Sequence, residues 1–240
     1  MSLDAQRAVQ ADYYDHNLGK YERTRKLDRS YVRKARIIHE AVGLPPAAVI
    51  EIGAGSGLLT YFLYDRLRPT RYVALDLSNE MTNAARERLA GRNVEFVIGD
   101  AQRPELPEQN FDAIVGVDVI HHLGDPVTAL AAWHRLARPG GRLAVLESNA
   151  WNPLMISQIG VEHEVRAFLN TKANLEKWTR ASGWHAVEVR PTPTFTPPGP
   201  AVLSPVFDVI DRVCVRVPKA RNLCALWLVT ATRATDDRRA

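Results

Sequence analysis

The stretch VIEIGAGSGLLTYF, residues 49–62, constrains this chain more than any other. A short β-branched run meets three glycines in five positions, Gly53, Gly55 and Gly57, and continues into an apolar segment at helical spacing. A strand, a glycine turn and a helix in that order begin a nucleotide-binding α/β unit, in which a ligand lies against bare backbone. The dinucleotide fingerprint G-x-G-x-x-G/A needs a small last residue, where the helix packs close and its N-terminus receives a pyrophosphate. Counted from Gly53 that position is Leu58, so the NAD and FAD pattern fails. What stands instead is E-x-G-x-G-x-G, Glu51 through Gly57.

The rest of the chain continues the rhythm. RYVALDLS reads as a second strand, and NEMTNAARERLA as a helix with Ser78 as N-cap and Gly91 as its stop. VEFVIGD is a third strand, and FDAIVGVDVI a fourth, apolar on both faces as buried parallel strands are. PVTALAAWHRLA is a helix capped by Asp125 with Pro126 in its first turn. RPGG then turns into a fifth strand, RLAVLES. Such alternation implies a doubly wound, mostly parallel sheet with helices on both faces. After Glu147 the pattern changes. NAWNPLMISQIG is an irregular insertion, EHEVRAFLNTKANLEKWTRASG is mainly helical, and WHAVEVRP is a sixth strand. PTPTFTPPGP cannot be regular structure, because proline lacks the donor N–H. VFDVIDRVCVRV fits helix or strand, and LCALWLVTATR closes a seven-stranded sheet. The expected organisation is a single domain, 1–240, with an N-terminal helical cap (1–45) and a ligand-binding core (46–147). Insertions at 148–182 and 191–222 would build a second part of the site.

Composition narrows the class. With 240 residues, 46% apolar and 24% charged, the chain can bury a core of its own. It has no apolar run of membrane-spanning length and no basic-then-apolar order of a secretory leader at its start. Cys214 and Cys224 are the only cysteines, too few for a disulfide framework and without zinc-ligand spacing, so a reducing cytoplasm is expected and no metal. The net charge of +4 is uneven, with Lys20, Arg23, Arg25, Lys26, Arg29, Arg33, Lys34 and Arg36 in one run. Leu27, Tyr31, Ala35, Ile38 and Val42 form an apolar stripe through it, so a solvated helix face is expected ahead of a nucleic-acid surface.

Five landmarks in order give the chain a resemblance to the class I S-adenosylmethionine-dependent methyltransferases. They are VIEIGAGSGLLT, Asp76 ending the second strand, Gly99-Asp100-Ala101, FDAIVGVDVIHHL and LARPGGRLAVLE. The resemblance implies a Rossmann-like methyltransferase fold with inserted lid segments and S-adenosylmethionine as cofactor. The cofactor set it implies is Tyr14, Glu51, Gly53, Ala54, Gly55, Gly57, Asp76, Leu77, Asp100, Ala101 and Asp118. Asp76 would accept from the ribose diol, Asp100 from the adenine amino group beside Ala101 and Gln102, and Glu51 would hold the ammonium end directly or indirectly. Tyr13 or Tyr14 would lie over the cofactor. His121 and His122 follow the fourth strand, whose carboxyl end faces the ligand crevice. Imidazole exchanges protons near neutral pH, and in similar enzymes the first of such a pair faces the acceptor while the second is structural. His163 is a distant further candidate. Asn149, Trp151, Asn152 and Pro153 resemble the E-x-N-x-x-N-P stretch of some small-molecule methyltransferases, which would roof the acceptor with Trp151, Met155, Phe168 and Phe195. The implied activity is methyl transfer to a small, partly hydrophobic organic molecule, foremost at oxygen. An RNA or protein methyltransferase, or a catalytically silent binding scaffold, are the alternatives. Nucleic acid is not the expected partner, and the sequence leaves the oligomeric state open.

Overall fold

The computed structural model describes residues 9, 11–16, 18–19, 29–43, 45–153, 165–194, 204–217 and 222–235. Residues 11–16 are helical. The elements that follow are α1 (Arg29–Val42), β1 (Ala48–Ile52), α2 (Leu58–Leu67), β2 (Arg71–Asp76), α3 (Asn79–Arg88), β3 (Val94–Ile98) and β4 (Phe111–Val117). A 3₁₀ turn (Ile120–His122), α4 (Pro126–Leu136), β5 (Ala137–Ser148), a second 3₁₀ turn (Val165–Leu169) and α5 (Lys172–Ala181) come next. β6 (His185–Pro191), α6 (Ser204–Arg216) and β7 (Leu226–Thr232) complete the described chain.

The seven strands form one sheet in the order β3-β2-β1-β4-β5-β7-β6. β1 to β5 pair in parallel, while β7 runs antiparallel to both β5 and β6. β1 is central and buried along its whole length, which is why AVIEI carries no exposed polar alternation. The period of two still sorts its side chains. Ile50 and Ile52 join Val73, Leu75, Ile114 and Val145 in a core closed by Leu130 and Trp133 of α4 and Leu175 of α5. Val49, Tyr72, Val115 and Leu146 face the other way, against Ile38 of α1 and Leu59 and Leu63 of α2. Helix starts follow the expected chemistry. Ser78 Oγ accepts from the Met81 N–H (3.0 Å), and Asp125 Oδ1 accepts from the N–H groups of Val127 and Thr128 (3.1 and 3.2 Å).

Two expectations change and one open alternative is settled. β4 ends at Val117, and DVI leaves the sheet because Asp118 sits at φ 55°, where no strand continues. RPGG is the first part of β5, with a register irregularity opposite Phe111–Ala113. Gly141 belongs there because a Cβ would lie 2.7 Å from the Arg138 carbonyl and 3.0 Å from that of Phe111. VFDVIDRVCVRV is helix, α6.

The described part of the basic run is not simply a solvated face. Tyr31, Ala35, Ile38 and Val42 are buried as expected, but Lys34 is buried with them. Its ammonium pairs with Asp118 at 3.0 Å, and Arg33 pairs with buried Asp211 of α6. Leu27, Met155, His163, Phe195 and the proline-rich stretch beyond Thr194 lie outside the described residues.

Candidate functional site

The strand order reverses between β1 and β4, so the connections leaving their carboxyl ends run to opposite sides of the sheet and open a crevice between them. A crevice partly open to solvent occupies this place, with about 800 Å³ of space between its walls when the solvent at its mouth is counted. Its walls come from the loop after β1 (Gly53, Gly55), the end of β2 (Asp76, Leu77, Ser78), the segment after β3 (Asp100, Ala101, Gln102) and the turn after β4 (Asp118, Val119, His122). Ala11 and Tyr14 of the N-terminal helical segment close one side. Of the expected cofactor set, Tyr14, Gly53, Gly55, Asp76, Leu77, Asp100, Ala101 and Asp118 are brought together around this space. Glu51, Ala54 and Gly57 are not on its wall.

The three glycines are bare for different reasons. All have positive φ, between 54° and 76°. A Cβ on Gly53 would stand 3.0 Å from the Val119 side chain across the crevice floor. On Gly57 it would meet Leu89 at 3.0 Å and Ala85 at 3.1 Å. Gly57 therefore lets the start of α2 lie against α3, and only Gly53 and Gly55 offer backbone to the crevice.

Asp76 fastens this loop from β2. Its Oδ2 accepts from the Gly55 N–H at 2.7 Å and its Oδ1 from the Ser78 N–H at 3.0 Å. Burial raises the Asp76 pKa above the usual carboxylate value, against these backbone donors, which lower it. A carboxylate has about four lone-pair positions, so acceptor capacity remains for a diol in the crevice. Asp100 Oδ1 accepts from the Gln102 N–H (2.9 Å), and the Ala101 carbonyl accepts from Trp133 Nε1 (2.6 Å), which fixes the far wall. Glu51 points into the opposite core. Its Oε2 accepts from Thr60 Oγ1 (2.7 Å) and the Tyr72 hydroxyl (2.5 Å), and burial pushes its pKa to about 7.

The turn after β4 holds both histidines, and the order expected for them is inverted. His121 is buried, and its Nδ1 lies 3.0 Å from Glu147 Oε2. His122 lines the crevice, with Nε2 3.0 Å from the Tyr14 hydroxyl and the two rings edge-to-face at 5.8 Å. The imidazoles of His121 and His122 lie 3.9 Å apart. The Tyr13 ring meets that of Tyr14 edge-on at 5.3 Å, and Ser78 Oγ donates to Asp15, so the YYD segment is docked on the crevice rim.

Asn149 and Asn152 do not roof the crevice. Asn149 Nδ2 donates to the Asn222 and Cys224 carbonyls (3.0 and 2.9 Å), and Asn152 Nδ2 to the Leu223 carbonyl (2.5 Å). They staple the chain after β5 to the approach of β7. Trp151 is 58% exposed, and its Nε1 donates to the Phe168 carbonyl at 3.1 Å. The sequence reading missed Glu147, Ser148 and Lys34 as site residues. Glu147 was visible only as a strand end and Lys34 only as one cation in a run; what they hold is far away in sequence.

Among the described residues no group of three or more His, Cys, Asp or Glu is placed to hold a metal, and no helix is long and apolar enough to cross a membrane. Residues 50–145 match the protein family described as "Methyltransferase domain". An uncharacterized methyltransferase of Mycobacterium tuberculosis is 34% identical over 111 residues, 46% of this chain and 55% of that protein. A fatty-acid O-methyltransferase of Mycolicibacterium smegmatis is 38% identical over 93 residues, 39% of this chain and 34% of that protein. The chain thus spans about half the length of the first relative and a third of the second. Among solved structures, a putative methyltransferase of Haloferax volcanii, in complex with the activator Trm112, superposes with a TM-score of 0.70 at 17% identity. That alignment covers 92% of this chain and 97% of the other, and it speaks for the fold. Its sheet order, its glycine loop clamped by Asp76 and the match over residues 50–145 make this chain similar to the class I S-adenosylmethionine-dependent methyltransferases, with a methyltransferase domain at its core.

Proposed function

We propose that the protein transfers a methyl group from S-adenosylmethionine to a small, partly hydrophobic organic molecule, foremost at oxygen. One observation carries this reading: a single crevice brings together the bare Gly53–Gly55 backbone, the Asp76 and Asp100 carboxylates and the Tyr14–His122 pair. The residues present fit the cofactor. Asp76 retains lone pairs for a ribose diol, Asp100 and Ala101 stand where adenine would lie, and a side chain at Gly53 would fill the cradle between loop and Val119. Glu51, turned into the core, would act on the ammonium end only indirectly, by fixing β1 against Thr60 and Tyr72.

The cofactor, when bound, supplies a methyl group already activated on a sulfonium, so no protein acid is needed for its leaving group. What remains for this chain is to orient the acceptor, exclude water and receive a proton. Orientation can contribute roughly 7–11 kcal/mol and a general base about 3–5 kcal/mol, so positioning is the larger share. A hydroxyl proton can be received at His122 Nε2, the nitrogen that faces the Tyr14 hydroxyl. Leu77, Met81, Val119 and Leu123 give the crevice an apolar side that suits a partly hydrophobic acceptor. Acceptor choice is assigned to the N-terminal segment and the insertions at 148–182 and 191–222, since the core residues are committed to the cofactor. An RNA acceptor is the weaker reading, because Arg33 and Lys34 are consumed in internal pairs. Two free thiols, Cys214 and Cys224, suit a reducing cytoplasm.

The test is incubation of methyl-labelled cofactor with fractionated metabolite extracts and identification of the product by mass. Label in a small molecule at oxygen is expected. Label confined to RNA or protein would overturn the acceptor class, and cofactor binding with no transfer would favour a silent scaffold.

A further inference from the structure

The turn that presents Asp118 and His122 is unusual backbone. Asp118 is a non-glycine residue at φ 55°, a conformation that persists only where surrounding contacts over-determine it. Beside the Lys34 ammonium and the Leu146 carbonyl, which accepts from the Asp118 N–H (2.8 Å), the contacts that hold this turn come from two consecutive residues at the end of β5. Ser148 donates to Asp118 Oδ1 from both its N–H (3.0 Å) and its hydroxyl (2.5 Å). Glu147 takes the next three residues: its Oε1 accepts from the N–H groups of Val119 (2.8 Å) and Ile120 (2.6 Å), and its Oε2 faces His121 Nδ1 (3.0 Å). A fourth donor, Asn170 Nδ2, reaches Oε2 at 2.7 Å from the residue after the second 3₁₀ turn. The Glu147 side chain has no exposed surface, so every one of these bonds is made away from water.

A fully buried carboxylate that served only stability would be a poor choice, since an apolar residue of similar size often serves as well. Here its four donors define a shape. The N–H groups of Val119 and Ile120 are the orphan donors at the start of the His121–His122 turn, and a carboxylate is the one side chain that accepts from both while offering a second oxygen to an imidazole.

We infer that Glu147 and Ser148 are positioning residues for the crevice: together they lock residues 118–121 so that Asp118 and His122 face the ligand. Glu147 acts on His122 through His121, whose ring it holds 3.9 Å from that of His122. Asn170 ties the same carboxylate to the chain entering α5, so the insertion and the crevice wall share one anchor. The inference rests on the crevice being the cofactor site.

The experiment uses the full chain, with S-adenosylhomocysteine as the probe and long-range ¹H–¹⁵N spectra of the imidazoles as the second readout. In the wild type His121 carries its proton on Nδ1, because the carboxylate facing it can only accept. Glu147→Gln offers one acceptor oxygen and two donor hydrogens where four donors converge. The expected result is a shift of both the His121 and His122 nitrogen signals and, because Val119 and Asp118 of the crevice wall lose their anchor, an affinity for the probe about ten-fold weaker. Ser148→Ala keeps the backbone bond to Asp118 and loses the hydroxyl; a smaller loss of affinity is expected, with His121 unchanged. A folded Glu147→Gln protein with wild-type His122 signals and wild-type affinity would overturn the inference. If that variant does not fold, Ser148→Ala decides, and unchanged affinity there would also overturn it. Failure of the wild type to bind the probe would refute the cofactor reading instead, which keeps the two ideas separable.

Discussion

Glu51→Gln isolates what a carboxylate does in the buried middle of an open sheet. The side chain is buried between β1, β2 and α2, with a pKa pushed from the usual 4.5 to about 7, chiefly by burial. A folded-state value above the unfolded one means that the native state binds the proton more tightly, so stability falls as pH rises through that interval. The interval runs from about 4.5 to about 7, and its width corresponds to about 3 kcal/mol. The Thr60 and Tyr72 hydroxyls both donate to one oxygen, and a glutamine oxygen can accept both. The variant keeps the bonds and has no proton to lose. Urea unfolding of both proteins at several pH values from 4 to 8, taken as a difference, cancels the other titrating groups. Wild type should lose about 3 kcal/mol relative to the variant across the series, with the change complete near pH 8. A difference flat with pH would refute the reasoning and leave Glu51 ionised in its core.

Gly57→Ala should lower Tm, because the added Cβ meets Leu89 and Ala85 and φ is 76°; about 1–3 kcal/mol of stability is expected to go. Probe affinity should be kept in the molecules that fold, since Gly57 is not on the crevice wall; calorimetry below the transition checks this. His122→Ala should lower turnover with S-adenosylhomocysteine affinity near wild type, and Tyr14→Phe should do so to a lesser degree; equal turnover at saturating acceptor would remove the pair from the chemistry. Lys34→Met leaves Asp118, partly exposed on the crevice wall, without its ammonium and should destabilise by about 1.5–3 kcal/mol; urea unfolding measures it.

The sheet was legible because each strand is short, apolar and bounded, and because Ser78 and Asp125 mark helix starts by local hydrogen bonds. Asp76, Asp100 and the glycine loop were legible for a related reason. Their positions follow from strand ends, which the alternation locates to within two or three residues. The histidines were not. His121 and His122 are adjacent in sequence, and the contact that turns His121 inward is with Glu147, 26 residues away. Lys34 was equally hidden, since its partner Asp118 lies 84 residues on. Asn149 and Asn152 misled for the opposite reason: a short motif suggested a roof, while their amides bond to carbonyls more than 70 residues away. Gly57 shows that a glycine motif mixes two demands, ligand approach and helix packing, which spacing alone does not separate.

Which molecule the crevice binds decides the rest of the chemistry, and one titration tests it most directly. Calorimetry with S-adenosylhomocysteine and with NAD, on wild type and on Asp76→Ala, compares a ligand without a pyrophosphate with one that needs the small residue replaced here by Leu58. S-adenosylhomocysteine should bind the wild type, NAD should not, and removal of the Asp76 carboxylate should weaken binding about ten- to hundred-fold. NAD bound more tightly than S-adenosylhomocysteine, or unchanged affinity in a folded Asp76→Ala protein, would contradict the account.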